Sequence, residues 1–401
     1  MEFRFATEEE KFREQIRAFL STELPPNWGA VGGVGALGEG GVERWEFLRD
    51  FQRRLARKGW LTLGWPAEAG GLGASHMMQV IYNEEMSYHR APTQLGVGPD
   101  RVGPTIILYG TDEQKKQHLP GIAGAETVWC QGFSEPGSGS DLASLQTRAV
   151  ADGDYFVING QKIWTSLAHK ADWCILLART DPDAPKHKGI SYFLLDMKSP
   201  GVEVRPLVNM AGTSGFNEVF FENVRIPTKD LLGEENRGWY VGTTTLDYER
   251  SSIGTSIAQG QMVEDLVAWI KASGVKMSDT TRAELADRFI ESSTARLMSY
   301  NVISMQNRGL VPNHEASAVK IYAGELNQRI QNTALKVMGM FGQLSGGGKD
   351  SNGQSASNRY APAKGKYSRA YLGSVASTIA GGTSEINRGI IATRGLGLPR
   401  G

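Results

Sequence analysis

The spacing of hydrophobic residues changes twice along this chain, and that change constrains the fold more than any other feature of the sequence. In the first 125 residues apolar side chains recur every three or four positions, as do Phe12, Ile16, Phe19 and Leu20. Such spacing is typical of amphipathic helices. Thr7 and the three glutamates that follow it predict the start of the first helix, because capping residues and acidic side chains favour a helix N-terminus.

Between residues 127 and 227 the period becomes that of β-strands. Runs rich in β-branched and aromatic residues, such as 155–158 and 173–178, alternate with turn residues. Asp152-Gly153 and Asn159-Gly160 are dipeptides that favour hairpins. After this region the helical spacing returns. The pattern predicts an α+β chain with three domains, which are an α-helical domain over 1–125, a small antiparallel β-barrel or sandwich over 126–235 and an α-helical bundle over 236–401.

Two hydrophobic stripes in the C-terminal region predict the core of that bundle. A stripe is more often bundle core than cofactor site, because buried helix faces are the commonest reason for such spacing. The first stripe follows one long helix, and the second marks another. The stripes are Val319, Tyr322, Leu326, Ile330, Thr333 and Val337, and Leu285, Phe289 and Leu297. Residues 345–365 interrupt the pattern with a polar loop.

The composition excludes several classes of protein. Lys and Arg total 43, as do Asp and Glu, so no positive charge excess favours nucleic acid. The two cysteines, Cys130 and Cys174, lack metal-ligand spacing and are too few for a disulfide framework. The N-terminus lacks the apolar core of a signal peptide, and no run approaches the roughly 20 apolar residues of a membrane span. We therefore expect a cytoplasmic protein without a membrane span, although a processed organellar form remains an alternative.

Two short segments are the best candidates for binding a ligand. Residues 131–141, QGFSEPGSGSD, contain Gly137 and Gly139, which allow a ligand to touch backbone N–H groups. Residues 162–166, KIWTS, place Trp164 beside two hydroxyl groups. A planar cofactor rich in heteroatoms fits such a pair. The alternatives are an ordinary loop and a core tryptophan.

Taken together and in order, the two segments resemble the signature segments of the acyl-CoA dehydrogenase flavoprotein family, and the resemblance covers essentially the whole chain. It implies a helical domain, a middle β domain and a C-terminal four-helix bundle, FAD as cofactor, and oxidation of acyl-CoA in lipid metabolism such as fatty-acid β-oxidation. The residues that match flavin contacts of the family are Gln131, Phe133, Ser134, Trp164, Ser166, Thr383 and Glu385. Ser140 matches a contact to CoA, and no metal is implied.

The resemblance also implies the position of the catalytic base. In many members a glutamate precedes the C-terminal Gly-Thr-Ser run, but here Gly381 occupies that place. A subgroup that includes the isovaleryl- and long-chain acyl-CoA dehydrogenases carries the base on a C-terminal helix, immediately before an arginine. Glu249 and Arg250 match that pair, so the resemblance assigns Glu249 as base, Arg250 to the substrate site and the Gly381 N–H to the thioester oxygen. The alternative for Glu249 is a solvated helix residue.

Two family features that act across subunit interfaces are weak in this sequence. The Arg-x-x-Phe-Gly motif is absent from 265–290, and Gln-x-x-Gly-Gly-x-Gly appears only as KVMGMFG at 336–342. We therefore expect a homo- or hetero-oligomer, a tetramer built as a dimer of dimers. A heteromeric partner is one hypothesis, similar to the large-subunit type of pimeloyl-CoA dehydrogenase.

The sequence is compatible with three functions. The first is an acyl-CoA dehydrogenase that passes electrons to an electron-transferring flavoprotein. The second is a flavin oxidase or monooxygenase on the same fold, and the third is a non-catalytic subunit or a nucleic-acid-binding relative. The side-chain-free Gly381 and the small residues at 95–98 predict a deep pocket for long, branched, cyclic or dicarboxylic acyl groups.

Overall fold

The computed structural model describes residues 5–26, 28, 41–93, 95–247, 253–346 and 358–399. The chain divides into two compact units. The first comprises Met1–Gln79, Arg90–Asn209 and Thr213–Arg250, and the second comprises Val80–His89, Met210–Gly212 and Ser251–Gly401.

In the first unit, helices both precede and follow the strands in the sequence. Helix α1 begins at Thr7, but the residue before it is the N-cap: the N–H of Ala6 donates to the Glu9 carboxylate at 2.7 Å. The prediction that Thr7 caps the helix is therefore wrong by one position, since the acidic side chain supplies the acceptor. The helices are α1 Thr7–Glu23, α2 Gly41–Arg57, α3 His76–Tyr88 (whose residues from Val80 belong to the second unit), α4 Gly103–Tyr109, α5 Asp112–Ala123 and α6 Gly238–Asp247.

Seven strands form one curled sheet in the first unit. They are β1 Trp129–Gly132, β2 Arg148–Asp152, β3 Tyr155–Lys162, β4 Trp173–Arg179, β5 Ile190–Asp196, β6 Val202–Leu207 and β7 Phe216–Pro227. Their order is β1-β4-β2-β3-β7-β6, with β5 paired to β4. Most pairs are antiparallel, as predicted, but β1 runs parallel to β4, and β2 meets β4 in a parallel bridge.

The two predicted hairpin dipeptides behave differently. Gly153, with φ +59°, lies in the turn that joins β2 to β3, as predicted. The prediction for Asn159-Gly160 is wrong, because both residues lie inside β3, where the register against β7 shifts between Ile158 and Gly160. A side chain at Gly160 would come within 2.6 Å of the Thr147 hydroxyl. This close approach, and not a turn, explains the glycine.

The sheet is buried on both faces at β4 and β5. Ile175 and Leu177 face a core that also holds residues of α4 and α5, whereas Leu176 and Phe193 face a second core inside the curled sheet. Burial on both faces explains why these strands read as nearly continuous hydrophobic runs.

The second unit contains the C-terminal helices. They are α7 Ile253–Ser273, α8 Asp279–Asn307, α9 His314–Met338, α10 Lys366–Ser374 and α11 Ser384–Ile390. The predicted stripe on α9 is buried apart from the half-buried Tyr322, with Leu326 and Ile330 at 0% exposure. On α8 the prediction holds for Leu285 and is wrong for Phe289 and Leu297, which are 54% and 60% exposed.

The inward face of α8 explains that difference. It is formed largely by small side chains, Ser292, Ala295 and Ser299, which hydrophobicity alone does not identify as core. Among the helices that the structure describes, none combines the length and apolar character that crossing a membrane requires.

Candidate functional site

The glycine- and serine-rich segment 131–141 leaves β1 and closes into a tight turn. The N–H of Glu135 donates to the carbonyl of Ser138 at 2.9 Å, and the N–H of Ser138 donates back to the carbonyl of Glu135 at 3.0 Å. A methyl group added at Gly137 or Gly139 would meet no atom within 4 Å. The turn therefore has a defined shape, while both glycines leave its backbone open to a ligand.

A buried ion pair lies beneath this turn. Lys162 is fully buried, and its ammonium lies 2.8 Å from Oε1 of Glu135 and 2.9 Å from the carbonyl oxygen of Phe133. The Glu135 carboxylate also accepts from the backbone N–H groups of Gln146 at 2.6 Å and Thr147 at 2.8 Å. Burial would raise the pKa of Glu135, but the Lys162 charge and these donors outweigh it and hold the pKa below its ordinary value.

The segment that contains Trp164 lies directly beside this turn. The N–H of Ile163 donates to the carbonyl of Ser134 at 2.9 Å. One residue beyond Trp164, Thr165 and Asn217 exchange backbone hydrogen bonds of 3.0 and 3.1 Å. The structure therefore brings together the two segments that the sequence singled out. The half-buried hydroxyl-bearing residues Ser134 and Ser166 belong to these adjoining stretches.

Trp164 is held in an exposed and strained position. Its φ is +61°, in the left-handed region that residues other than glycine rarely adopt, and Leu167 follows with φ +59°. The indole is 54% exposed and meets Phe216 only edge-on, with ring centroids 5.9 Å apart. A core role for Trp164, the alternative reading, is therefore wrong. Strain of this kind costs about 1–3 kcal/mol per residue and concentrates at ligand sites.

Sequence reasoning missed the charged residues that hold these segments. Besides Lys162 and Glu135, Arg179 is only 8% exposed, and its guanidinium donates to the carbonyl of Ala143 at 2.5 Å and of Lys186 at 2.8 Å. The available signal was the position of Arg179 at the end of the apolar strand β4, whereas the polar residues before Lys162 in β3 give no such signal. A buried charge at a strand end must find partners, and loop carbonyls are the nearest ones.

Ser140 lies at the exposed end of the turn. Its neighbour Asp141 forms an ion pair of 2.8 Å with Lys186, and both side chains are exposed. The hydrogen bond from Lys186, followed by one from Ser144, lowers the pKa of Asp141 below its ordinary value. The exposed position of Ser140 leaves it accessible to a ligand such as CoA.

The C-terminal segment 381–385 belongs to the second unit. Gly381 and Gly382 adopt φ of +67° and +86°, so this turn requires glycine-like freedom at both positions. Thr383 caps α11 by accepting from the N–H of Ile386 at 3.1 Å, and Glu385 is exposed in the first turn of that helix. Gly381 is exposed, and its backbone is not part of a regular element.

The predicted base lies outside the residues that the structure describes. Helix α6 is described to Asp247, and α7 is described from Ile253. Glu249 and Arg250 both fall in the gap between them. Their assignment as base and substrate contact therefore stays a prediction.

The predicted pocket floor at 95–98 is not supported. A side chain at Gly96 would come within 2.2 Å of the Trp129 carbonyl oxygen, and one at Gly98 would meet Ile122 at 3.2 Å. Gly96 also adopts φ +74°. These glycines permit close packing against β1 and α5, and the space that their missing side chains leave is already filled.

The residues of the first unit fit a flavin. Oε1 of Gln131 and Oγ1 of Thr165 are buried and have no hydrogen-bond partner within the described part of the chain. An unpaired buried polar atom costs about 1–3 kcal/mol, which a polar ligand group at these positions would recover. Polar atoms, an exposed indole and an open glycine turn together suit a planar cofactor with a polar edge. Within the described ranges, no cluster of His, Cys, Asp and Glu could hold a metal ion.

Family models match the chain in three consecutive parts. The N-terminal domain of acyl-CoA dehydrogenase matches residues 6–126, the middle domain matches 130–224, and the C-terminal domain matches 236–396. Together these matches extend over nearly the whole chain.

Individual proteins are similar over comparable lengths. Acyl-CoA dehydrogenase IpdE1 of Mycobacterium tuberculosis is 37% identical over 394 residues, which cover 98% of each chain. The solved structure of the Tcur3481-Tcur3483 steroid ACAD has a TM-score of 0.85 at 35% identity, covering 100% of both chains. The ChsE4-ChsE5 complex of Mycobacterium tuberculosis has a TM-score of 0.82 at 32% identity, again covering 100% of both chains.

Proposed function

This chain belongs to the acyl-CoA dehydrogenase family, a family of oxidoreductases that act on acyl-CoA, and we propose that it converts a ring-bearing acyl-CoA to the trans-2-enoyl-CoA. The observation that carries the proposal is the placement of residues 131–134 beside 162–166, with Trp164 half exposed. No sheet core requires an exposed indole in a strained conformation. A flavin beside it explains the arrangement.

FAD is the cofactor that we propose for this site. When bound, FAD accepts the hydrogen that leaves the β-carbon of the substrate together with its electron pair. The backbone of Phe133 and Ser134 would meet the edge of the ring, Trp164 would cover one face, and the Ser166 hydroxyl would donate to the ring. Gln131 would contribute its unpartnered amide oxygen, and Thr383 and Glu385 would contact the phosphate and ribose end.

Proton removal falls to Glu249 in this proposal. The α-proton of a thioester is weakly acidic, so its removal requires a carboxylate in a dry site and donors that polarise the carbonyl. Gly381 has no side chain, so no carboxylate stands at the alternative position of the family. The Gly381 N–H would donate to the thioester oxygen, and Arg250, next to the base, would contact the substrate.

The substrate class rests on the relatives and on Gly381. A structure 35% identical to this chain is described as a steroid ACAD, which supports a polycyclic acyl group over a short straight one. The small residues at 95–98 no longer support a deep pocket, because their space is filled. A fused ring buries many carbon atoms, and each buried methylene contributes about 0.8 kcal/mol, so affinity should rise steeply with ring content.

The assembly that we propose is heteromeric, and its electron acceptor is an electron-transferring flavoprotein. Two similar structures are described by paired names, Tcur3481-Tcur3483 and ChsE4-ChsE5. The degenerate segment 336–342 of this chain supports the same view, because the family's form of that segment acts across a subunit interface. A second acyl-CoA dehydrogenase-like chain would then complete the site, within a dimer of dimers.

Anaerobic flavin bleaching by a panel of thioesters tests this proposal. The assembly is purified through a tag on this chain, and butyryl-, palmitoyl-, isovaleryl-, pimeloyl- and steroid-side-chain CoA are added without oxygen. We expect the steroid thioester to bleach the flavin fastest and the bleached flavin to reoxidise slowly in air. Fast reoxidation would indicate an oxidase, bleaching by butyryl-CoA alone would contradict the substrate class, and a colourless assembly would contradict the cofactor.

A further inference from the structure

A buried lysine joins the two segments to which the proposed function assigns the flavin, although no step of the proposed reaction uses it. The Lys162 side chain is 0% exposed, and its ammonium contacts the carbonyl of Phe133 and the carboxylate of Glu135. These two residues stand immediately before and after Ser134. The residue after Lys162, Ile163, donates its N–H to the carbonyl of Ser134 itself.

We propose that Lys162 is the positioning residue of the flavin site, which fixes the backbone on both sides of Ser134 against the segment that carries Trp164. This inference rests on the proposed function and assigns a role beyond it. A backbone N–H or carbonyl forms a good hydrogen bond only when it points at its partner. The contacts of Lys162 on both sides of Ser134 therefore decide whether the backbone N–H and carbonyl of Ser134 point towards the flavin. Lys162 does not touch the flavin in this account, and it acts through the loop.

The partners of Lys162 extend this tether to the far end of the loop. Glu135 receives the N–H groups of Gln146 and Thr147, and Thr147 accepts at its carbonyl from the N–H of Arg179 at 2.7 Å. Arg179 in turn donates to the carbonyl of Ala143. The charge pair therefore ties residues 133–135 to residues 143–147, so that the open glycine turn between them keeps its entry and exit fixed.

The energetics of the pair favour a positioning role over a purely stabilising one. Burial lowers the pKa of Lys162 to about 8, although the charge and hydrogen bond of Glu135 oppose the shift, and the nearby charge of Arg179 adds to it. A buried ion pair seldom stabilises a fold more than apolar side chains of equal size would. An apolar side chain could not supply the directional hydrogen bonds that Lys162 donates to the Phe133 carbonyl and the Glu135 carboxylate.

Three variants of the assembled protein test this role. Lys162→Met keeps an unbranched side chain, one atom shorter, and removes the ammonium. Glu135→Gln keeps the shape and removes the negative partner. Arg225→Met is the matched control, because it removes a cation from an exposed 2.6 Å ion pair with Asp152 in the same unit. The flavin is stripped from each assembly, thermal unfolding of the stripped protein is recorded, and FAD is then titrated back well below the unfolding temperature.

We expect Lys162→Met and Glu135→Gln to weaken FAD binding about 10- to 100-fold, the range for losing a hydrogen bond to a charged group, and to shift the absorbance of the bound flavin. The control should bind FAD as the wild type does. Equal FAD affinity and equal spectra in Glu135→Gln and in any folded Lys162→Met would overturn the inference while leaving the proposed function intact. Wild-type assembly that takes up no FAD would instead overturn the proposed function.

The pH dependence of FAD binding supplies a readout that a merely structural role would not change. The groups that face Lys162 are Glu135, Cys174 and Arg179. If the charged ammonium positions the loop, the affinity of the wild type for FAD falls as the pH rises through about 8. The neutral amine of Lys162 no longer forms an ion pair with the Glu135 carboxylate. Lys162→Met should lack this fall between pH 7 and 9. The same fall in both proteins would contradict the role of Lys162.

Discussion

At the scale of single residues, Trp164 combines backbone strain with exposure, and this combination separates a ligand-binding role from a packing role. A φ of +61° is unfavourable for tryptophan, and 54% of the residue stays exposed, so the ring forgoes about half of the burial that a core tryptophan gains. We therefore expect a ligand to cover the exposed part of the ring.

Trp164→Ala should leave the flavin-free protein nearly as stable as the wild type while weakening FAD binding by about tenfold or more, since stacking on an aromatic ring contributes about 1–3 kcal/mol. Tyr155→Ala, which removes a 39% exposed ring from the same unit, is the control for general surface effects. FAD titration and thermal unfolding measure the two quantities. A large loss of stability with unchanged FAD affinity would show that Trp164 is a packing residue.

His118 gives a prediction about pH and stability. Its ring lies edge-on to Trp129 and Trp173, with centroids 5.2 and 4.6 Å away, and Nε2 has no partner in the described part of the chain. Burial, with a smaller contribution from Lys229, lowers the pKa of His118 to about 4. His118 is therefore protonated below about pH 6.5 in the unfolded chain but only below about pH 4 in the folded protein.

The free energy of unfolding should consequently fall as the pH drops from about 6.5 to about 4, with a contribution from His118 of up to about 3 kcal/mol. Above pH 6.5 the contribution is constant, because His118 is neutral in both states. Urea unfolding at several pH values, on wild type and His118→Phe, measures the effect. A variant as acid-sensitive as the wild type would locate the effect in other groups.

At the scale of secondary-structure elements, strand β3 shows how local geometry is set by a neighbour. Its register shift at Ile158 and Gly160 brings the backbone against Thr147, whose N–H binds Glu135. The irregularity in the strand therefore lies directly against one end of the glycine turn.

Gly160→Ala should destabilise the protein by more than Gly153→Ala, and it should also weaken FAD binding. Both glycines have positive φ, so each substitution costs about 1–3 kcal/mol in backbone strain. A side chain at Gly153 meets nothing within 4 Å, whereas one at Gly160 would press on Thr147. Urea unfolding compares the two variants, and equal losses of stability would mean that the contact with Thr147 is absorbed without strain.

Elements whose buried face repeats regularly along the chain could be predicted from the sequence. The helical and alternating periods predicted the strands at 155–158 and 173–178 and the buried face of α9, because those patterns report burial directly. The helical period failed at Phe289 and the hairpin dipeptide failed at Asn159-Gly160, because both outcomes depend on a neighbouring helix or strand. The adjoining segments of the site were recognised by their residue types, but the ion pair of Lys162 and Glu135 joins residues 27 positions apart, which no local pattern contains.

At the scale of the whole molecule, family membership extends across both compact units, and the residues that the proposal assigns to the site occur in each of them. The first unit carries the segments around Phe133 and Trp164, and the second carries Gly381 and Thr383. A reaction that removes a proton and a hydride from adjacent carbons needs a base and an electron acceptor together. The proposed chemistry therefore requires Glu249 in addition to the flavin segments.

The most direct test of the account is the rate of anaerobic flavin reduction by the best acyl-CoA of the panel, measured in a single turnover with wild type, Glu249→Gln and the control Glu264→Gln, an exposed glutamate on α7. We predict that Glu249→Gln retains FAD and binds acyl-CoA. Its flavin should be reduced about 10²- to 10⁴-fold more slowly than that of the wild type, because the variant lacks the base. The control Glu264→Gln should react as the wild type does. Flavin reduction by Glu249→Gln at a rate close to that of the wild type would contradict the account.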